Sequence, residues 1–429
     1  MAGSAQSFSL ANSQSLLRSA GAHTNVSTQQ PASNPSGGGG GGGGSGVYGP
    51  ISSVNLDIPY FAGTSGGIIG DSGIKYTSLL TTSSLPLEVT SAGGDLTWAL
   101  RYFVEDYANV QAAFTAACNA GGVMVLPPGT TANTTLTWPT NFSGVVQIKG
   151  CGVGVSVLAG SIELVSNATP QVSLEDFSCT GGIALDLTGS NYAGGEDCGN
   201  ISHVSVTGLI SYASSTHGFY LNNCGQMSID GLSGVGTSNT SGNGLTLIGV
   251  SNLQASDVSL YTYGIGLNIG LGPAGHQYTN FRAVNCQYGI YATFDVNQGI
   301  FMSSWMVDNG NAPSTFSTPC VYLQGAGSGV NACTFVSGEI LLQNGGSPAY
   351  AMQLYDMEHV LINTLDFTFA NPSDSCIYCS NGTTACSISQ CAPGAGYLVH
   401  CAAGTSNTRA LGNVVGATFL DGGSNTLTS

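Results

Sequence analysis

Three acids in the second half of the chain, Asp295, Asp356 and Glu358, have a spacing that suits glycosidic chemistry. Hydrolysis of a glycosidic bond uses two carboxyl groups, about 5 to 5.5 Å apart for retention and about 6.5 to 9.5 Å for inversion. Aligning the repeats of the chain on Ile290, Val321 and Ala351 puts Asp295 and Asp356 at one angular position two coils apart, with Ala326 between them. On a rise of about 4.8 Å per coil their backbones would stand about 9.6 Å apart. Glu358 lies two residues beyond Asp356 and shares its face in a regular strand. Asp308 and Glu339 make a second pair on neighbouring coils, offset by one residue. The chain has 22 acids, so pairs also arise by chance among turn residues and solvated edges.

Binding a glycan without cleaving it asks for exposed aromatic faces beside hydroxyl-bonding side chains. Tyr261, Tyr263, Tyr288, Tyr291 and Trp305 fall in adjacent repeats and make a candidate glycan-binding strip. The same rings serve equally to fill the interior or a contact between chains. Cys376, Cys379, Cys386, Cys391 and Cys401 crowd together near His400. A structural zinc site wants two close ligand pairs on tight knuckles. Cys376 and Cys401 are one repeat apart, so stacked buried thiols are the simpler reading; neither a metal site nor a cofactor is expected. Glu105-Asp106, at a helix start, reads as a cap and not as a catalytic pair.

The elements that position these residues follow from composition and periodicity. Only 6 Lys and Arg stand against 22 Asp and Glu, for a net charge of -16. Such a chain lacks the basic footprint of a nucleic-acid binder. With 42% hydrophobic residues it can bury a core, unlike a disordered linker. No apolar run reaches membrane-spanning length, and the first residues lack the basic start and apolar run of an export signal. Thirteen cysteines in a chain this long do not suggest a disulfide scaffold.

Residues 1–48 are polar and end in the Gly37 to Gly44 run, a flexible connector by composition. Residues 49–104 alternate in short apolar stretches, as in a small β-rich adaptor. Residues 105–429 open with Val110, Ala113, Phe114 and Ala117 at helical spacing, stopped by Gly121-Gly122. Beyond that helix, short strands recur: Gly218-Phe219-Tyr220-Leu221, Gly244-Leu245-Thr246-Leu247, Gly289-Ile290-Tyr291-Ala292, Cys320-Val321-Tyr322-Leu323 and their kin return every 20 to 31 residues. A repeat this short cannot bury its own apolar face, so neighbours must stack. The expected fold is all-β, a parallel β-helix of about ten coils with one N-terminal capping helix; a sandwich or propeller is the alternative.

Glu105-Asp106, Gln111 to Phe114, Ala120-Gly121-Gly122, Val123 to Leu126 and Pro127-Pro128-Gly129-Thr130 together resemble the entry to the pectate-lyase-like right-handed β-helices. Ile148 to Gly152, followed by Ser156-Val157-Leu158, is similar to the second coil of that superfamily. It includes pectinases, lyases and bacteriophage tailspikes, so it implies a fold and no single reaction. Polygalacturonase signatures are missing, His217-Gly218 being a fragment of one, and lyase chemistry lacks an acid cluster beside a cationic base. The segment from Asp57 to Ile74 resembles one common in tail-fibre and other appendage proteins of tailed phages. That resemblance implies a virion protein assembled in the host cytoplasm, usually a homotrimer. Its N-terminal arm would contact other virion structural proteins, and its β-helix would contact the host's surface polysaccharide. A polysaccharide depolymerase and a purely structural decoration or collar protein are the two alternatives.

Overall fold

The computed structural model describes residues 101–429 apart from residues 140, 141, 143, 166–169, 187–196, 271–274, 295–298, 309–317, 326–331, 343–349, 370–374, 394–396, 414–416 and 429, plus the backbone of five strands between residues 57 and 97. Two compact units, residues 1–73 and 74–429, make up the chain. In the first lies the strand Asp57–Phe61. The second contains an antiparallel hairpin, Glu88–Ser91 with Gly94–Thr97, and the solenoid. The expected arm, residues 1–48, lies outside the described residues. Pairing of the solenoid sheet begins at Arg101, a few residues before the helix that residue 105 was expected to open.

A phase shift in the apolar pattern explains the coil. In Leu253–Tyr261 the inward residues are Leu253 and Ala255, then Val258 and Leu260. Strict alternation would turn Asp257 inward. Instead Asp257 takes a left-handed conformation, φ 53°, which bends the strand and resets the alternation. The same position is left-handed in successive coils, at Asn280, Ser304, Ser337, Thr364 and Gln390. Each long strand therefore supplies two faces of a prism, and a short strand supplies the third. Long strands pair in parallel with the long strands above and below, and short with short: Gln254 with Gln277, Gln277 with Phe301, Tyr291 with Tyr322. The result is a parallel β-solenoid of about ten turns, as the repeats led one to expect.

Left-handed backbone is costly for residues other than glycine, on the order of 1–3 kcal/mol each. Bonds between coils offset part of that cost on this corner: Asn280 donates to Asp257, and Thr364 Oγ1 to Gln390 Oε1 at 3.3 Å.

The end of the core nearest the N-terminus is closed by the helix Val110–Ala120, which buries Val110, Ala113, Phe114, Ala117 and Cys118. Its cap is Asn109, whose side chain accepts from the Ala112 N–H at 2.8 Å. Glu105 and Asp106 sit one turn earlier, in a 3-10 turn spanning Val104–Asp106, so the expected acidic cap is replaced by an amide. Gly121, φ 64°, ends the helix, with the Gly122 N–H bonded to Ala117 O at 2.8 Å. Asn109→Ala should lower stability by about 1 kcal/mol in denaturant unfolding. Asp106→Ala should change it far less; the reverse order would show that the acid, not the amide, holds the helix start.

Candidate functional site

The short strands build one solvent-facing column. Each opens on a buried small residue followed by a buried apolar one: Gly289-Ile290, Cys320-Val321, Ala351-Met352, Cys376-Ile377. The next residue points outward, and register stacks these outward residues coil upon coil: Asn268, Tyr291, Tyr322, Gln353, Tyr378 and His400. All six are half-buried. Tyr291 and Tyr322 are stacked, with ring centroids 5.1 Å apart and planes 20° from parallel. Tyr288 meets Tyr291 edge-on at 5.3 Å, and Tyr355 continues the ladder 6.5 Å from Tyr322. Further along, Tyr350 and Tyr378 stack at 3.9 Å, and His400 abuts Tyr378 at 4.8 Å. Burial, reinforced by the neighbouring tyrosines, pushes the Tyr322 phenol above its ordinary value, so it stays protonated as a donor; it bonds Gln324 Oε1 at 3.3 Å.

Towards the N-terminus the column is covered. The strand Ile210–Tyr212 pairs antiparallel beside Ser215–Asn222, and its Ile210 and Tyr212 pack over Tyr220, the buried member of the column there. Tyr212 Oη donates to Asp186 at 2.8 Å, Asn222 Nδ2 donates to the same carboxylate at 3.0 Å, and His217 joins Thr246 at 2.9 Å and Tyr212 O at 3.1 Å. Burial holds the His217 imidazole below its ordinary pKa. These groups bond to one another, so His217 acts here as a fastening for the flap.

Of the five aromatic residues singled out by spacing, Tyr288 and Tyr291 belong to this column. Tyr261 is half-exposed on another face, in register with Val235 and Val284. Tyr263 and Trp305 are buried, and their assignment to a glycan surface is corrected. The Tyr263 ring fills a slot among Gly218, Gly234, Gly236 and Gly244, where any side chain would collide with it. Trp305 packs inward over Gly338, with Phe335 edge-on at 5.5 Å. Spacing alone misses Tyr322, Tyr355 and Tyr378, although Tyr322 and Tyr378 follow the same small-apolar pair as Tyr291.

The carboxylates are partly brought together. Asp295 lies outside the described residues. Asp356 and Glu358 are half-buried on the corner that directly follows Tyr355, with the buried Met357 between them. Asp356 is left-handed, φ 55°. Register pairs Val321 with Met352 and not with Ala351, because Ala351 is the small corner residue equivalent to Gly289 and Cys320. Asp356 directly follows Tyr355, which is therefore in register with Gln324, itself in register with Thr293. Asp308 pairs with Leu341, whereas Glu339 pairs with Asp366 on the next coil, so the second expected pair is replaced by Glu339 and Asp366.

The crowded cysteines Cys376, Cys379, Cys386, Cys391 and Cys401 are all buried in the core. Burial pushes the Cys386 thiol up to about 12 and that of Cys391 to about 11, so these two stay neutral at physiological pH. Zinc is held by thiolates. Among the described residues no group of three His, Cys, Asp or Glu is placed to hold a metal ion. No helix among them is long and apolar enough to cross a membrane.

No protein-family model matches this chain, and no curated protein matches its sequence. Solved structures do match in fold. The catalytic domain of a GH87 α-1,3-glucanase in complex with nigerose superposes with a TM-score of 0.54 at 12% identity, over 80% of this chain and 70% of that one. A DFA-IIIase from Arthrobacter chlorophenolicus A6 in complex with GF2 gives 0.53 at 12% identity, over 77% and 98%. The catalytic unit of a thermostable GH87 α-1,3-glucanase from Streptomyces thermodiastaticus strain HF3-3 gives 0.50 at 17%, over 79% and 70%. At these identities the likeness is one of fold, and the class it defines is the parallel β-solenoid.

Proposed function

We propose that this chain is a carbohydrate-binding β-solenoid that reads a surface polysaccharide along the tyrosine column. The observation that carries the reading is the ladder Tyr288, Tyr291, Tyr322 and Tyr355. Half-buried phenol rings offer flat apolar faces for sugar rings and hydroxyls for bonding, beside the amides of Gln324 and Gln353. Of the structures that share the fold, a GH87 α-1,3-glucanase was solved with nigerose and the DFA-IIIase with GF2, which favours the same ligand class. The finer role, a homotrimeric virion appendage anchored through residues 1–48 and directed at host glycan, is supported by the resemblance of Asp57 to Ile74 to phage appendage segments. Location of the chain in purified virions by cryo-electron microscopy tests it; a solitary chain outside any particle would sink it.

Depolymerase activity is a second reading, favoured by Asp356 and Glu358 where the ladder reaches the coil corner. Incubation with polysaccharide separates the two, since only an enzyme shortens the polymer and Asp356→Asn should then abolish shortening.

For binding, Tyr322→Ala should weaken affinity for the recognised glycan about tenfold, the loss of one aromatic anchor, as measured by isothermal titration calorimetry. Unchanged affinity would remove the ladder from the binding surface.

A further inference from the structure

A separate cleft lies on the face formed by the first halves of the long strands, with a volume of about 650 Å³. Asn200, Gln226, Ser228, Asn252, Gln254 and Gln277 line it, five amides and a hydroxyl without a charged side chain among them. Register stacks Asn200, Ser228, Gln254 and Gln277 in one column, in steps of about 4.8 Å. The next residue in that column is Phe301, an exposed aromatic ring, 43% accessible.

Elsewhere on this surface, stacked polar side chains bond to the coil next to them, as Asn280 does to Asp257 and Ser256 to Asp230. Here Asn200 bonds Glu175, whose charge Lys149 meets at 2.9 Å. Among the described residues, the side chains of Gln226, Ser228, Gln254 and Gln277 make no such bond, and Ser228, Gln254 and Gln277 are exposed. Each amide presents both donors and an acceptor. Four unengaged groups, three amides and a hydroxyl, on a rigid sheet, with an aromatic platform at one end and no cation or carboxylate among the described lining residues, match a polyhydroxylated neutral ligand.

We infer that this cleft is a second carbohydrate site, selective for an uncharged glycan segment whose hydroxyls bond Gln226, Ser228, Gln254 and Gln277 and whose terminal ring stacks on Phe301. The inference rests on the carbohydrate reading of the chain but not on the tyrosine column, which lies on a different face. Among the described residues of the lining none is an acid, and the site is one for binding.

The full chain would be screened on an array of neutral oligosaccharides, namely α-1,3-glucan, dextran and chitin fragments, with oligogalacturonates as the anionic comparison. Calorimetry would then follow the best neutral ligand. Affinity is expected to fall about tenfold or more in Gln254→Ala/Gln277→Ala and in Phe301→Ala, and to stay unchanged in the control Val153→Ala, an exposed position outside both the cleft and the tyrosine column. All these positions are at the surface, and circular dichroism checks that each variant is folded. Neutral binding lost only in Tyr322→Ala would overturn this site and leave the tyrosine column standing. Loss in the cleft variants alone would do the opposite. Binding of anionic oligosaccharides only, or of none, would overturn the cleft outright.

Discussion

Gly338→Ala should destabilise the solenoid strongly, by about 3 kcal/mol, although it adds a single methyl group. Gly338 is in register with Trp305 on the neighbouring coil, and a Cβ there would clash with the indole ring, 2.6 Å from Cζ2 and closer still to Cε2 and Nε1. The indole cannot swing away. It is 3% exposed, with Phe281 in register beneath it and Phe335 packed at its edge. Bulk on one coil is thus matched by its absence on the next. Trp305→Ala alone should cost about 3 to 5 kcal/mol by leaving a cavity. The double variant Trp305→Leu/Gly338→Ala should recover part of the loss from Gly338→Ala, since the smaller side chain clears room for the methyl. Urea unfolding of the parent, Trp305→Leu, Gly338→Ala and the double variant closes a double-mutant cycle. Additive losses would mean that the two positions do not share the space their register implies. Because coils stack in one dimension, a defect here is expected to unfold the neighbouring coils first, and the transition should broaden.

The second large effect is an acid-linked loss of stability through His276. This side chain is 2% exposed inside the core, in register with Ile300, and its Nδ1 has no partner among the described residues. Burial pushes the imidazole down to about 4. The unfolded chain carries it near 6.5, so between those values the unfolded state holds a proton that the folded state does not. Stability is therefore full above about pH 6.5 and falls as the pH drops towards 4, by on the order of 3 kcal/mol. His217, shifted the same way by burial, adds to the fall. His276→Leu should remove the His276 share, leaving the unfolding midpoint flatter between pH 7.5 and pH 4.5 and raising it at the acid end. Parallel midpoints for the variant and the parent across that range would show that His276 does not carry the effect.

Much of the fold is legible in the order of the residues, and the reason is physical. A repeat too short to bury its own apolar face must stack, and Val110, Ala113, Phe114 and Ala117 at helical spacing could form little but the helix that closes the core. The corner of each long strand is also written in the chain. Leu253, Ala255, Val258 and Leu260 share their spacing with His276, Tyr278, Phe281 and Ala283, and with Ile300, Met302, Trp305 and Val307. Two alternating pairs separated by an extra residue mark a bend that keeps both halves inward. That spacing is enough to place Trp305 in the core, against the expectation of a surface ring.

Other features depend on packing between coils, which local pattern does not encode. Nothing along Tyr350-Ala351-Met352 says which residue takes the tight corner; register between coils puts Ala351 there and sets Met352, not Ala351, beside Val321. Asp106 and Asn109 are both good helix caps, and the 3-10 turn at Val104–Asp106 leaves the amide to serve. Tyr263 resembles its surface neighbours in type and spacing, yet the glycines of two adjacent coils open a slot that takes its ring. Composition and periodicity by themselves determined that the chain is a stacked β-solenoid with a capped end and few charged residues, most of them acidic. Register between coils, set by how large and small side chains fit across a step of about 4.8 Å, decided which tyrosines share one outward column and which amides bond to no neighbouring coil.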